Sequence, residues 1–514
     1  MMLLSVKQMR EIERIASARY EISGYDLMRN AAQGIYDAIK EYVRDYDEKH
    51  YLIFCGKGNN GGDGYGLAWL MRRDGLKISV FSAGELKDEN GDAAAMKNNY
   101  LNAGGVCLHA DIFNPELHVP EATVIVDALF GTGLNMPISE TYADLIEAIN
   151  CSGAYVVSAD IPSGLNCDNG LIMGAAVKAN MTVTFCRKKI AHILKRSHTV
   201  CGDVIVKDIG IPQEAFAEID PVIALFEEKD AELALPKNRI DEHKGSCGKV
   251  LVIGGSRTMS GAPVLSATAA LRSGAGIVKL LIPEGVFIPV VSKTTELMCV
   301  PMKESIFGTF SKNNLNEILE SLYLFDAIVL GCGMSADEDT SALVSGLIAN
   351  CTVPMVLDAD GLNILASSPD LLYHAQCDIV LTPHEVEMSR LCDIPKTEIE
   401  TDRIGVARDF ARKYACTVVL KGTNTITASA EGDIFINSSG NPGMATGGSG
   451  DVLSGVIGAF LARGLDPFRA ASAGVYIHGI AGDIAADRLS QYGMIATDII
   501  GSLPAALKKY DCTD

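Results

Sequence analysis

The chain has 514 residues, 48% of them hydrophobic, and a formal net charge of −20. That length suits roughly two or three domains, and the composition excludes a disordered or low-complexity chain. The acidic balance speaks against nucleic-acid or anionic-membrane binding, which need basic surface, so an anionic ligand has to be held by local N–H groups and helix N-termini.

The N-terminal residues MMLLSVKQMREIERIA turn amphipathic at once, which is not the pattern of a signal peptide. No apolar run reaches the length of about 18 residues that predicts a transmembrane helix. The fourteen cysteines are scattered, with no CxxC pair and no Cys/His cluster. Reduced thiols in a cytoplasmic protein are therefore expected, rather than a disulfide scaffold or a zinc site.

Apolar, β-branched runs then recur along the chain, separated by segments of helical length. In the first half they fall at 51–56, 77–84, 122–131, 154–164, 181–185 and 204–212. In the second they fall at 249–256, 276–283, 326–333, 353–363, 378–385 and 417–427. Continuous apolar runs suit strands buried on both faces of a parallel sheet, and the alternation predicts βαβ units in two three-layer α/β domains. The acidic stretch EEKDAELALPKNRIDEHKG separates the halves, and the boundary is placed there, giving domains 1–225 and 226–514. Many runs end in Gly, Asp, Ser or Asn, and open α/β sheets bind ligands at the carboxyl ends of their strands.

The first constellation is the loop CGKGNNGGDGYG, Cys55 to Gly66. Its glycines allow a sharp turn and close approach to phosphate oxygens. A tight β–α turn would account for a bare GxG, but Asn59, Asn60 and Asp63 add polar chemistry that a turn does not need. Downstream strand ends supply Asp127 and Asp160. Two such carboxylates suggest a cation site, an acid–base residue or both, while helix capping by Asp160 and Ser163 is the plainer alternative.

Together GNNGGDG, VDALFGTGL and ADIPSGLN, with LMRNAA and VKDIGIP at the flanks, resemble the epimerase domain of the NAD(P)HX repair family, the YjeF N-terminal domains. The resemblance covers about residues 1–215. It implies a Rossmann-like fold that interconverts the R and S forms of hydrated NADH and NADPH, written NADHX and NADPHX. By that pattern Asn59, Asn60, Gly61, Gly62 and Asp63 hold the dinucleotide, with Gly131, Thr132, Gly133, Leu134, Asn135, Met136 and Pro137. Asn60, Asp127 and Ser163 would ligate potassium, Asp160 would be the acid–base residue, and Tyr142 would line the site. Arg29, Ala32, Tyr65 and Asn166 depart from the pattern.

The second constellation is NPGMATGGSGDVLSG, Asn441 to Gly455. It predicts backbone N–H groups of Gly448, Ser449 and Gly450 at a helix N-terminus, where a phosphoryl group is favoured. Asp451 would then be within reach of a substrate hydroxyl and could take its proton. Alternatively, Asp451 is an ordinary first-turn residue beside a glycine turn. Further strand ends offer Asp358, Asp360 and Asn363, His384, and LKGTNT with Lys421; a buried, hydrogen-bonded histidine is the alternative for His384.

HKGSCGKVLVIGGS, SGAPVLSATAALRSGAGIVKL, DADGLN, TPHEVEM, LKGTNT and NPGMATGGSGDVLSGVIGAFL together are similar to the ADP/ATP-dependent NAD(P)HX dehydratases over about residues 240–505. The resemblance implies a ribokinase-like domain that phosphorylates the hydroxyl on carbon 6 of the hydrated ring. Phosphate elimination then restores NAD(P)H, with ADP converted to AMP and phosphate and magnesium on the phosphates. By motif, Ala262, Gly333, His384 and Asp451 would contact the hydrated dinucleotide. Lys421, Gly422, Thr423, Asn424, Thr425 and Gly450 would bind the nucleotide, and Asp451 would be the base. Met259, Cys332 and Glu385-Val386 depart from that pattern. A homo-oligomer is expected. The competing readings are a ribokinase-like small-molecule kinase with a regulatory nucleotide-binding domain, and a nucleotide-sensing protein whose sites are inactive.

Overall fold

The structure, a computed structural model, describes residues 1–86, 88, 90–119, 123–237, 240 and 242–511. Ala122 of one expected run, and residues 238, 239 and 241 of the acidic stretch, lie outside the described residues. Among the described residues no helix is long and apolar enough to cross a membrane.

The chain divides into two units, Met2–Asp220 and Pro221–Asp514, the latter including Met1. The break falls a few residues before the expected boundary at 225. The reason is a short strand, Ile223–Phe226, which pairs in parallel with Ile434–Asn437 and so belongs to the second sheet.

In the first unit the strands are β1 His50–Cys55, β2 Lys77–Ser82, β3 Cys107–His109, β4 Thr123–Ala128, β5 Tyr155–Ala159, β6 Met181–Phe185 and β7 Asp203–Lys207. Their order is β3-β2-β1-β4-β5-β6-β7, and every pairing is parallel. Alternate residues of β1 enter opposite cores. Tyr51, Ile53 and Cys55 join the helices Val6–Tyr20, Gly24–Tyr42 and Asn59–Arg73, whereas Leu52 and Phe54 join Ile146 and Ile149 of the helix Glu140–Cys151. That double burial is why these strands read as unbroken apolar runs. Each fully buried aliphatic side chain contributes about 1.5–3 kcal/mol. Strand order reverses between β1 and β4, the place where open α/β sheets leave a crevice. This is the Rossmann-like architecture expected of the first domain.

In the second unit the strands are β8 Ile223–Phe226, β9 Lys249–Ile253, β10 Ile277–Pro283, β11 Met298–Met302, β12 Ala327–Leu330, β13 Met355–Leu357, β14 Ile379–Leu381, β15 Thr417–Leu420, β16 Ile426–Ala428 and β17 Ile434–Asn437. The order is β11-β10-β9-β12-β13-β14-β15-β16-β17-β8. Pairing is parallel from β11 to β15, antiparallel through β15-β16-β17, and parallel again to β8. Val250, Leu251, Val252 and Ile253 are all fully buried, so both faces of the sheet are covered. A parallel sheet extended by an antiparallel hairpin and covered on both faces is the expected ribokinase-like domain. Its order reverses between β9 and β12. The run 417–427, which reads as one strand, is β15 and β16 with a tight turn between them. Gly422 at φ 145° and Asn424 at φ 52° make that turn.

Candidate active sites

In the first unit β1 leads through Gly56 to Gly58, which is the N-cap of the helix Asn59–Arg73. Much of the glycine string serves packing rather than phosphate approach. A Cβ on Gly61 would stand 2.1 Å from the Gly56 carbonyl oxygen, and one on Gly62 would stand 2.5 Å from Met28 Sδ and 2.9 Å from Ala93 Cα. These glycines let the helix lie against its own entry turn and its neighbours.

A cleft of about 870 Å³ opens at this end of the sheet. Asn59, Asn60, Asp63, Tyr142, Asp160 and the whole loop from Gly131 to Pro137 line it. Gly61, Gly62, Asp127 and Ser163 are buried and are not part of that lining. Tyr142 donates its hydroxyl to the Ala83 carbonyl at 3.1 Å and sets its ring edge-on to Phe130.

Asp160 follows β5 in a left-handed conformation, φ 62°. It is the N-cap of no helix among the described residues, contrary to the plainer alternative. Its Oδ1 accepts from Lys189 Nζ at 2.6 Å and Thr184 Oγ1 at 2.9 Å. Lys189 is 1% exposed and also donates to Thr184 Oγ1 and the Phe185 carbonyl. Burial alone would raise the Asp160 carboxyl, but the Lys189 ammonium outweighs it and holds the group below the usual range. Asp63 moves the other way: burial first, then the charge of Asp160, push it well up. Glu13 on the first helix also lines the cleft and is raised for the same two reasons. Lys189, Thr184, Glu13 and Arg10 are site-lining or site-holding residues that the sequence reading did not find.

Asp127, near the end of β4, is fully buried. It accepts from the Ser163 N–H and Oγ at 2.8 and 2.5 Å, Ser158 Oγ at 2.8 Å and the Leu129 N–H at 3.2 Å. Burial nonetheless raises its carboxyl. Asn60 is 8% exposed, and both polar atoms of its carboxamide are buried without a hydrogen-bond partner. A Cβ on Gly131 would lie 3.1 Å from Asn60 Cβ, so the carboxamide sits against the Gly131 loop. An orphaned carboxamide oxygen, a hydroxyl and a buried carboxylate are all hard oxygen donors, a set whose chemistry fits potassium.

In the second unit the site gathers at the carboxyl ends of β9, β12, β13, β14 and β15. Gly333 follows β12 at φ 67°, and a Cβ there would meet Ala262 Cβ at 3.1 Å and the Met259 carbonyl at 2.7 Å. Gly333 and Ala262 are therefore immediate neighbours. Asp358, after β13, is buried; it accepts from Lys421 Nζ at 2.8 Å and from Ser454 Oγ. The ammonium outweighs burial and holds Asp358 below the usual carboxylate range. Lys421 is spent on acids: Glu387 is 3.8 Å away as well. It also reaches the helix Ser449–Ala462, where a Cβ on Gly450 would lie 3.2 Å from Nζ.

Gly448 is the N-cap of that helix at φ 91°, and Asp451 occupies its first turn. Burial, then the charge of Asp358, push the Asp451 carboxyl up to about 6. His384 caps the helix Glu385–Cys392 through Nδ1, which accepts from the Val386 and Glu387 N–H groups at 3.1 and 3.2 Å. Its side chain is 51% exposed rather than buried, with Nε2 3.5 Å from Glu387 Oε1. Burial of the ring, then Lys421, lower its pKa, so it is neutral near pH 7. Gly422 to Thr425 form the β15–β16 turn. Arg403 donates to the Thr423 carbonyl at 2.5 Å, and Asn424 turns its carboxamide to the Asn437 carbonyl. Lys421, Gly450 and Asp451 are thus brought together, while Asn424 is engaged with β17.

Sγ of Cys332 and one carboxylate oxygen each of Asp358 and Asp451 lie within 4.8 Å of one another. The set does not fit direct magnesium ligation: a thiol is a soft donor, and Asp358 is already taken by Lys421 and Ser454.

Two family models match. Residues 24–191 match the YjeF-related protein N-terminus and residues 250–505 match NAD(P)H-hydrate dehydratase. A bifunctional NAD(P)H-hydrate repair enzyme of Moorella thermoacetica is 37% identical over 99% of this chain and 97% of its own length. The chain belongs to this family. The bifunctional NAD(P)H-hydrate repair enzyme of Coxiella burnetii is 39% identical over 97% of each chain. Among solved structures, the ADP/ATP-dependent NAD(P)H-hydrate dehydratase of Bacillus subtilis, co-crystallised with ATP and magnesium, covers 56% of this chain and 98% of its own. It is 26% identical, with a TM-score of 0.47. With both halves matched to repair-enzyme relatives, a small-molecule kinase with a regulatory domain is not favoured.

Proposed function

We propose that the chain repairs hydrated nicotinamide dinucleotides, its first domain interconverting the epimers of NADHX and NADPHX and its second dehydrating the S epimer at the expense of ADP. The observation that carries the reading is a pair of half-buried aspartates, Asp160 and Asp451, each at the carboxyl-end crevice of its own sheet on a chain of this family.

In the first domain the loop from Gly131 to Pro137, Asn59, Asn60 and Tyr142 hold the dinucleotide in the cleft. Asp160 takes the proton of the carbon-6 hydroxyl as the bond from carbon 6 to the ring nitrogen breaks, its electron pair passing to the nitrogen and a carbonyl forming at carbon 6. The nitrogen then adds back to the other face of that carbonyl, and Asp160 returns the proton to its oxygen. Lys189 fixes the carboxylate and keeps it anionic. Potassium would be held by Asn60, Asp127 and Ser163 and would supply a fixed positive charge beside the bound dinucleotide. Asp63 lines the cleft beside Asn59 and Asn60, and Gly61 and Gly62 let the helix turn that carries them pack closely.

In the second domain Ala262, Gly333 and His384 hold the hydrated dinucleotide, and residues Lys421 to Thr425 with Gly450 hold ADP. Asp451 accepts the proton of the carbon-6 hydroxyl while its oxygen attacks the terminal phosphoryl group of ADP. AMP leaves. The new phosphate ester then loses phosphate as the C–O bond breaks and the ring gives up a proton, which restores the dihydronicotinamide. The N–H group of Gly450 and the Lys421 ammonium stabilise the charge that develops on the phosphoryl oxygens. Magnesium travels on the nucleotide's phosphates, and no protein side chain is assigned to it.

The test is dihydronicotinamide absorbance after the full chain is added to mixed-epimer NADHX with ADP, magnesium and potassium. Recovery of NADH from both epimers is expected. Recovery that stops at the S fraction would remove the first-domain activity, and no recovery would remove the second-domain activity, on which the readout depends.

A further inference from the structure

We propose that the Cys332 thiol is a positioning residue for the dehydration step, a fixed S–H donor that orients the Asp451 carboxylate and stabilises its anion. This rests on the reading of Asp451 as the base and adds a residue to it.

Three observations point to the thiol. The first is place: Cys332 follows β12 at the strand-reversal crevice, is fully buried, and puts Sγ within 4.8 Å of carboxylate oxygens of both Asp358 and Asp451. Of those two acids, Asp358 is provided for by Lys421 and Ser454. Asp451 has no such pair of partners, and the thiol is the neutral donor that lies beside its carboxylate.

The second is rigidity. The Cys332 carbonyl accepts from the Gly255 N–H at 2.9 Å. On one side a Cβ on Gly331 would stand 2.1 Å from the Asp358 carbonyl oxygen, and on the other a Cβ on Gly333 would stand 2.7 Å from that of Met259. The segment is clamped against two neighbouring loops, the one after β9 and the one after β13, so the thiol has little freedom except rotation of its own proton. A donor pinned this way loses little entropy in holding a carboxylate.

The third is protonation. Burial, with Asp451 and Asp358 adding negative charge, pushes the Cys332 thiol well above its ordinary value. It therefore stays S–H across the working range, which makes it a donor and a poor nucleophile. The charged groups acting on Asp451 are Asp358 and Asp360, which disfavour its anion, and Lys421, which favours it. Lys421 lies closer to Asp358 and is shared with Glu387. The thiol is thus a neutral donor where the ammonium is already committed.

The experiment is the pH profile of dehydratase kcat/KM for the full chain carrying Cys332→Ala or Cys332→Ser. Losing the donor should move the acid limb of Cys332→Ala up by about half a pH unit, about a threefold loss below the limb, with rates converging at high pH. Cys332→Ser, which keeps a donor, should return the limb towards the parent. A uniform loss at every pH, or an unmoved limb, would mean that Cys332 only fills space and would overturn the proposal. If neither variant folds, the parent chain still decides by infrared spectroscopy. The S–H stretching band should shift to higher frequency in Asp451→Asn, where the acceptor loses its charge, and an unchanged band overturns the proposal. Asp451→Asn also separates the two failures. Full turnover there would bring down the base itself, whereas a dead Asp451→Asn with an unmoved Cys332→Ala limb would bring down only the thiol's role.

Discussion

The two sites each bring a half-buried aspartate to the carboxyl-end crevice of a sheet, Asp160 after β5 and Asp451 in the first turn of a helix, and hold it in opposite electrostatic states. Asp160 has an ammonium of its own, Lys189, 2.6 Å away, and is held below the usual carboxylate range. Asp451 has no such partner, because the nearby ammonium, Lys421, is spent on Asp358, and it is pushed up to about 6. Position in the fold brings a carboxylate to a crevice, but its cation decides whether it is a settled anion or a base poised near neutral pH.

The largest effect that would sharpen this contrast comes from exchanging each acid for its amide. Asp451→Asn should lower dehydration by about 10³-fold while nucleotide binding and epimerisation persist, and Asp160→Asn should do the reverse, in line with the usual worth of a general base. Rapid-mixing assays on separated epimers check both, and cross-talk between the two losses would break the comparison. Next, Lys189→Met leaves Asp160 with a buried charge and no cation. Epimerisation should fall by about 10²-fold, and unfolding stability of the first domain by about 3 kcal/mol. An unchanged melting profile would show that the pair is not what sets Asp160.

A smaller effect should appear in pH dependence. A base must be unprotonated to act, and the Asp451 carboxyl is raised, so dehydration should fall as pH drops through about 6. The loss is about tenfold per unit below that point. Asp160 is lowered, so epimerisation should stay level over the same interval. Coincident acid limbs in the two profiles would contradict the contrast.

The smallest effect concerns Asn60. Its carboxamide is buried without a partner, so Asn60→Ala should leave the potassium-free protein at least as stable, an unsatisfied buried group costing about 1–3 kcal/mol. The same change should abolish any rise in melting temperature on adding potassium. A potassium-dependent rise that survives Asn60→Ala would remove Asn60 from the ion's ligands.

What the sequence reveals follows from these same forces. Asp127 and Asp160 stand out because each interrupts or follows an apolar run, and central parallel strands must be apolar throughout, whereas Asp451 stands out because it follows Gly-Ser-Gly at the start of a helix. Edge strands escape notice for the opposite reason. Cys107–His109 and Met298–Met302 are partly exposed, and the latter contains Pro301, so neither forms a continuous apolar run. The glycines around Gly61 read as a phosphate loop, yet Gly61 and Gly62 owe their identity mainly to close packing, which looks the same in sequence. Lys189 is invisible for another reason: its partner lies 29 residues away, and nothing local distinguishes it from Arg187 or Lys188.

The parallel pairing of β8 with β17 sets the order in which the chain can mature on a ribosome. The first domain has all of its strands once residue 207 has emerged. The edge of the second sheet is made too early for its partner: Val222 bonds Asp433 across a separation of 211 residues. Between those moments β8 is a strand without a sheet, a state in which long-range pairing is slow and exposed edges invite aggregation. A truncation that starts at 226 would create the converse fault, removing most of β8 and leaving β17 as a bare edge, whereas one that starts at 221 keeps the sheet whole.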